Sequence, residues 1–253
     1  MGLRAYSRDC FYHCEVVNKP CMPTERTIKS FWNRAAEQNP HWYVSSYGSY
    51  DADRNLDEFW ASGRTIWMDI KRVTGYTPGS DDTVAEIGCG VGRLTRAIAP
   101  EVGRVIALDI SEKMLAIARQ ANLPNVEFRT AQGFALPDIP DNSVDLSLAY
   151  CVFQHLPTRA ALKSYLAEMR RVTKAGGSIA FTLAPRNWRT WLLPALRVRA
   201  YLREHFSSGG PKGVYRKEWV GIRPSASAVS NMSPIRLERR ALDAGRILYF
   251  GRR

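Results

Sequence analysis

No apolar run in the chain approaches the roughly 18 residues that a membrane-spanning helix needs, and no repeat or low-complexity tract interrupts it. The first stretch, MGLRAYSRDCFYHCEVVNKPCMPTERTIK, lacks the unbroken apolar segment of a secretory signal, because Arg4, Arg8, Asp9 and Glu15 interrupt it. The expectation is a cytoplasmic protein. Cysteine is sparse, five in all, and odd in number. Cys89 and Cys151 sit inside apolar segments as small core residues do. Cys10, Cys14 and Cys21, with His13, match no standard zinc spacing, so no metal is expected and residues 1–24 read as a disordered leader. Met22 opens a segment, MPTERTIKSFW, that resembles a natural beginning.

Acidic residues are scarce in one place. The formal charge is +12, from 36 Lys or Arg against 24 Asp or Glu. From Arg186 to Arg253, fifteen basic residues stand against four acidic ones, so nearly all of the excess lies in the last quarter. Such a field favours an anionic substrate, a nucleic acid or a membrane surface, and is equally compatible with a solvated face of no specific role.

What is present alternates. TERTIKSFWNRAAEQ and LDEFWASGRTIWMDIKRV carry apolar residues at helical spacing, with an aromatic, polar loop predicted between them. From Thr83 the pattern switches to short β-branched runs separated by helices, which predicts a parallel sheet. TVAEIG is the first strand, GRLTRAIAP a helix stopped by Pro100, and RVIALD the second strand. Ser111 caps EKMLAIARQA, NVEFRTA and SVDLSLAY follow as strands, and Thr158 caps a helix that ends at the glycines of RVTKAGG. SIAFTLA is the fifth strand. PIRLERRAL and RILYFGR then read as a hairpin turning at Asp243, Ala244 and Gly245. The expected fold class is α/β, a doubly wound, seven-stranded, mostly parallel sheet with an antiparallel C-terminal hairpin. A helical cap is expected over 25–78, a ligand-binding core over 79–184, a lid or insertion over 185–233 and the hairpin over 234–253.

The stretch VAEIGCGVGRLTRAIA concentrates glycine where a strand ends. In a doubly wound sheet this turn faces the ligand, and Asp109 closes the next strand about 20 residues later, where a carboxylate can accept both hydroxyls of a ribose. The spacing is not that of a dinucleotide site. Arg93 stands where a third small residue is needed for the pyrophosphate, and Glu86 would repel one. A carboxylate beside this turn suits a ligand with a cationic end.

AEIGCGVGRL, ALDISEKML, AQGFALPDIPDNSVDLSLAYCVFQHLP and EMRRVTKAGGSIAFT, in that order and spacing, resemble the four motifs of the class I S-adenosylmethionine-dependent methyltransferases, small-molecule type. The resemblance covers roughly residues 80–184 and implies a Rossmann-like methyltransferase fold with S-adenosylmethionine as the donor. It implies that Gly88, Cys89, Gly90 and Gly92 lie under the ribose and methionine part, with Glu86 near the amino group and Asp109 on the ribose diol. Ile110 and Met114 would flank the adenine, or simply belong to the core. Gln132 would read the adenine amino group in place of the Asp common in the family, Gly133 would supply a backbone donor and Phe134 a stacking face. Tyr150 would face the methionine end.

Methyl transfer from a sulfonium is an in-line displacement whose leaving group needs no acid, so the protein's main task is alignment. A base is needed only where the acceptor must lose a proton. His155 is the candidate for that role, or else a packed helix-entry residue. Tyr43, Trp60, Phe153, Trp188, Trp191 and Tyr215 are candidates for an acceptor wall. WLLPALRVRAYLREHF reads as a lid, with a peripheral membrane helix as the alternative. The favoured function is methylation of an O or N atom of a small molecule. An RNA or protein methyltransferase using the basic C-terminal quarter is the runner-up, and a non-catalytic nucleotide-binding protein or a dehydrogenase the remaining readings. No separate RNA-binding module is visible, so nucleic acid is not the expected partner.

Overall fold

The computed structural model describes residues 23–45, 56–184, 195, 198–199, 201–202, 204, 211–212, 214, 217–242 and 246–253. Seven strands form one sheet: β1 (Thr83–Ile87), β2 (Arg104–Asp109), β3 (Val126–Thr130), β4 (Val144–Ala149), β5 (Thr173–Leu183), β6 (Glu238–Ala241) and β7 (Ile247–Arg252). Their order is β3-β2-β1-β4-β5-β7-β6. The first five run parallel, while β7 is antiparallel to both β5 and β6. The strand order reverses direction between β1 and β4, so the crevice at their carboxyl ends is where such a sheet holds its ligand.

The central strands are apolar on both faces because helices cover both. On one face α6 (Arg159–Val172) buries Leu162, Leu166 and Met169 against Ile87, Ile106 and Phe181. On the other, α3 (Leu56–Thr74) buries Trp67 and Ile70 against Val84, Val105 and Leu148. Each such side chain contributes roughly 1.5–3 kcal/mol by leaving water. A third cluster joins the cap helices α1 (Glu25–Gln38), α2 (Pro40–Ser45) and α3 to the sheet's ligand end through Phe31, Tyr43, Phe59, Val91 and Met114. The described segments are completed by α4 (Thr95–Ile98), α5 (Glu112–Arg119), α7 (Lys217–Val220) and α8 (Ala226–Met232).

Local chemistry accounts for most boundaries. Ser111 Oγ accepts from Met114 N at 3.2 Å and Thr158 Oγ1 from Ala161 N at 3.1 Å, so both predicted caps are in place. Three expectations are corrected. Pro100 does not stop the helix after the glycine turn; one α-turn passes into a 3-10 turn over Ala99–Glu101 that contains the proline. Near a 3-10 start the missing N–H was to be unpaired anyway. The helix after β4 ends at Val172 and not at glycine, because Thr173 turns extended (φ −73°, ψ 136°) and its hydroxyl donates to Met169 O at 2.6 Å. Gly176 and Gly177 instead serve a register shift inside the long β5. The predicted loop after α1 begins with the short helix α2. The expected turn at Asp243, Ala244 and Gly245 lies outside the described residues, as do residues 1–22.

Gly63 is what lets α3 reach the glycine turn. A Cβ there would lie 2.3 Å from the Arg93 carbonyl oxygen, which is backbone and cannot move aside. Gly63→Ala is therefore expected to cost about 1–3 kcal/mol of stability, measured by urea denaturation; an unchanged midpoint would show that the helix shifts freely.

Candidate active site

The turn between β1 and α4 is shaped by glycines that no other residue replaces. Gly88 has φ +74° and a Cβ on it would sit 2.1 Å from Val152 Cγ2; Gly90 has φ +56° and would meet Val44 Cγ2 at 2.8 Å. The first turn of the loop is pinned to β2, since the N–H groups of Gly88 and Cys89 both donate to Leu108 O, at 2.7 and 2.9 Å. Asp109, at the end of β2, accepts from Gly90 N through Oδ2 and from Ser111 N through Oδ1, each at 2.8 Å. Two backbone donors thus fix the plane of its carboxylate while each oxygen keeps a lone pair for a ligand. Burial pushes the Asp109 carboxyl up to about 6, against those N–H groups, which pull it down.

Glu86 is 3% exposed. Burial pushes its carboxyl up to about 7, partly opposed by the Thr95 hydroxyl, which donates to Oε2 at 2.6 Å; the neighbouring Asp109 charge adds to the rise. Both acids face one cavity, which is also lined by Gly88, Cys89, Gly90, Arg93, Ile110, Met114, Gly133, Phe134 and Tyr150. Burial holds the Cys89 thiol and the Tyr150 phenol protonated by raising both. Of the expected donor-side residues, two fall elsewhere. Gln132 is exposed and does not line the cavity. Gly92 turns behind the loop, where a Cβ would lie 3.4 Å from Ala118 Cβ. Gly133 lines the cavity, but its N–H already donates to Glu25 Oε1 at 2.8 Å and is not free for a ligand in this arrangement.

A methyltransferase domain model matches residues 85–181, the segment that carries this site. The match spans less than half of the chain, and it takes in β1 to most of β5, the strands whose carboxyl ends form the crevice. The ribosomal RNA small subunit methyltransferase A of Thermotoga petrophila is 34% identical over 107 residues, 42% of this chain and 40% of that protein. The ubiquinone biosynthesis O-methyltransferase of Idiomarina loihiensis is 29% identical over 145 residues, 56% of each chain. The chain thus matches about half the length of these curated relatives. The crystal structure of the magnesium protoporphyrin IX methyltransferase of Synechocystis, with bound S-adenosylhomocysteine, shares the fold with a TM-score of 0.60 at 16% identity, covering 91% of this chain and all of that one.

The matched segment is roofed by α1 through residues that recur every four positions. Glu25 accepts from Gly133 N, Lys29 donates to Glu112 Oε1 at 2.6 Å, Asn33 Oδ1 accepts from Ser111 Oγ at 2.8 Å, and Glu37 pairs with Lys113. One face of α1 is thereby fastened along the rim formed by the start of α5 with its Ser111 cap and the loop after β3. The helix itself was legible in sequence; its polar face gave no signal of what it would grip.

The wall beyond β4 is aromatic. Trp32 lies edge-on to His155 with centroids 5.1 Å apart, and Trp219 of α7 stacks on Trp42 at 5.9 Å with an interplanar angle of 14°. Tyr43 is 2% exposed and its hydroxyl accepts from Lys212 N at 2.7 Å. Trp32, Tyr43 and His155 line the cavity. Trp60 does not; it carries Arg96 on its face at 4.0 Å. Phe153 is fully buried between Tyr165 and Phe181 and belongs to the core. Trp188, Trp191 and Tyr215 lie outside the described residues. Asp145 lies at the opposite end of the sheet, accepting from Thr83 N at 2.9 Å and pairing with Lys174 at 2.8 Å, which is a structural position.

His155 is held through both ring nitrogens. Arg246 Nη1 donates to Gln154 Oε1 at 2.7 Å, the Gln154 amide nitrogen lies 3.1 Å from His155 Nε2, and His155 Nδ1 contacts the Trp219 carbonyl oxygen. Every donor meets an acceptor when the ring proton sits on Nδ1. Burial, partly opposed by the contact with the Trp219 carbonyl and aided by the Arg246 and Arg223 charges, lowers the imidazole to about 4. The ring is neutral at physiological pH. Neither Arg246, on the approach to β7, nor Trp219 was among the sequence candidates, because both reach the site from about 65 or more positions away.

Proposed function

We propose that this protein transfers a methyl group from S-adenosylmethionine to an O or N atom of a small-molecule acceptor. The observation that carries the reading is Asp109, whose carboxylate is presented by two backbone N–H groups into the same cavity as Glu86 and the glycine turn. The residues present fit this donor: a cradle at Gly90 that a Cβ would fill, a carboxylate for a diol and a buried carboxyl suited to an ammonium. The donor supplies an electrophilic methyl on a sulfonium. The chain's residues do the rest: Asp109 and the turn orient the ligand, Met114, Phe134 and Tyr150 exclude water, and the Trp32–Tyr43–His155 wall shapes the acceptor side. Alignment of this kind corresponds to about 7–11 kcal/mol of barrier. The small-molecule class is supported by a cavity wall of aromatic side chains and by the ubiquinone-biosynthesis relative.

The roles of His155 follow from its contacts. It positions the wall, and does not take a proton in the state with both nitrogens engaged. His155→Phe is expected to lower stability by about 1–3 kcal/mol, since Gln154 and the Trp219 carbonyl lose partners. A variant with unaltered melting temperature and abolished turnover would make it a base instead.

The basic C-terminal quarter and the ribosomal RNA methyltransferase relative support a second reading in which the acceptor is RNA. Radiolabelled methyl transfer into a host extract, fractionated into small molecules, RNA and protein, decides between them. Label in the small-molecule fraction is the expected result; label confined to RNA or protein would replace the acceptor assignment.

A further inference from the structure

We propose that Arg93 binds the carboxylate of the donor's methionyl end, across the glycine turn from Glu86; this rests on the donor reading above. The methionyl end is a zwitterion, and a cavity that excludes water has to match both of its charges. Among the described residues that line the cavity, the ionisable side chains of ordinary acidic or basic character are Glu86, Asp109, His155 and Arg93. Asp109 is placed for the ribose and Glu86 for the ammonium. His155 is neutral with both nitrogens engaged. Arg93 is therefore the one permanent cation on that lining.

Its setting is that of a binding group and not of a paired structural one. Arg93 is 6% exposed. The Phe59 ring lies 5.4 Å from its guanidinium carbon, and Nη1 donates to Ser62 Oγ at 3.2 Å. Both partners belong to α3, so the cap helix aims the group. Neither is anionic, and Arg93 forms no ion pair with a carboxylate among the described residues. Glu86, its acidic neighbour, attracts it weakly across the turn without a hydrogen bond or ion pair between them, and accepts from the Thr95 hydroxyl through Oε2. Burying a guanidinium without a counter-ion is costly, and a carboxylate offers two oxygens that match its remaining donors. Burial lowers the Arg93 guanidinium and the Arg246 charge adds to it, and a carboxylate beside Arg93 would oppose both.

The test uses the full chain and calorimetric titration with S-adenosylhomocysteine, its decarboxylated analogue, which keeps the ammonium, and 5′-methylthioadenosine, which lacks the whole amino-acid end. Wild-type protein is expected to bind S-adenosylhomocysteine about 30-fold tighter than the decarboxylated analogue, the size of one strong charge-assisted pair. Arg93→Met should erase that preference while leaving 5′-methylthioadenosine affinity within about threefold, and Arg93→Lys should restore part of it. Equal affinity of the wild type for the two amino-bearing ligands would overturn the assignment, and needs no variant to fold. So would an Arg93→Met variant that keeps the preference, which would pass the cation to an anionic acceptor, or one that loses all three ligands alike, which would leave it a support of the turn. A wild type that binds none of the three ligands refutes the donor reading itself and is thereby distinguished from these results.

Discussion

Asp109→Ala is expected to weaken S-adenosylhomocysteine binding by two to four orders of magnitude. Two charge-assisted hydrogen bonds to a ribose diol, at about 1.5–3 kcal/mol each, sum to that range. Alanine also strands the N–H groups of Gly90 and Ser111, which now donate to the carboxylate at 2.8 Å. The turn should therefore loosen as well, and part of the loss belongs to a less ordered cradle. Asp109→Asn separates the contributions: it keeps the side chain's size and one acceptor, so it should retain more of the melting temperature than alanine while still losing at least tenfold in affinity. Calorimetric titration together with thermal unfolding reads both. Affinity unchanged in the alanine variant would place the donor somewhere other than this cavity.

Glu86 should make the stability of the ligand-free protein fall as pH rises. Its carboxyl stands at about 7 in the folded state against 4.5 ordinarily, so the fold favours the protonated form. The stabilising contribution is then complete below about pH 4.5 and is lost as pH climbs through about 7, by roughly 3 kcal/mol for a shift of this size. Glu86→Gln imitates the protonated acid at every pH. Urea denaturation of the two proteins should give similar stabilities at pH 5 and a more stable variant at pH 8. The difference between them isolates Glu86 from other titrating groups. At pH 8 the same variant should bind S-adenosylhomocysteine less well, because the ammonium loses its counter-charge. A wild-type-to-variant gap that does not change between pH 5 and pH 8 would show that Glu86 is not held protonated.

These two residues were the most readable part of the site, and the reason is proximity in the chain. A β-strand, a tight glycine turn and a second strand ending in Asp lie within 30 residues, so strand period, turn chemistry and motif spacing all report on one another. Arg93 was readable only as a departure from a dinucleotide pattern, since nothing local says that Phe59 and Ser62 of α3 will aim it. His155 was noticed for its residue type and position after β4. Its partners arrive from Trp219 and Arg246, and these decide that its ring is engaged on both sides.

The same division runs through the fold. Apolar alternation and the Ser111 and Thr158 caps settle the strands and the starts of α5 and α6, because those depend on the next few backbone groups. The helix ending at Val172 and the glycines taken into β5 depend on pairing with β4 and β7, which no local window contains. Ile28, Phe31 and Ala35 mark α1 as amphipathic, yet only the packed chain joins Glu25, Lys29, Asn33 and Glu37 to the rim of the cavity. Short-range hydrogen bonds and periodicity are written in neighbouring residues, whereas the electrostatic partners of a buried site are chosen by which distant surfaces meet.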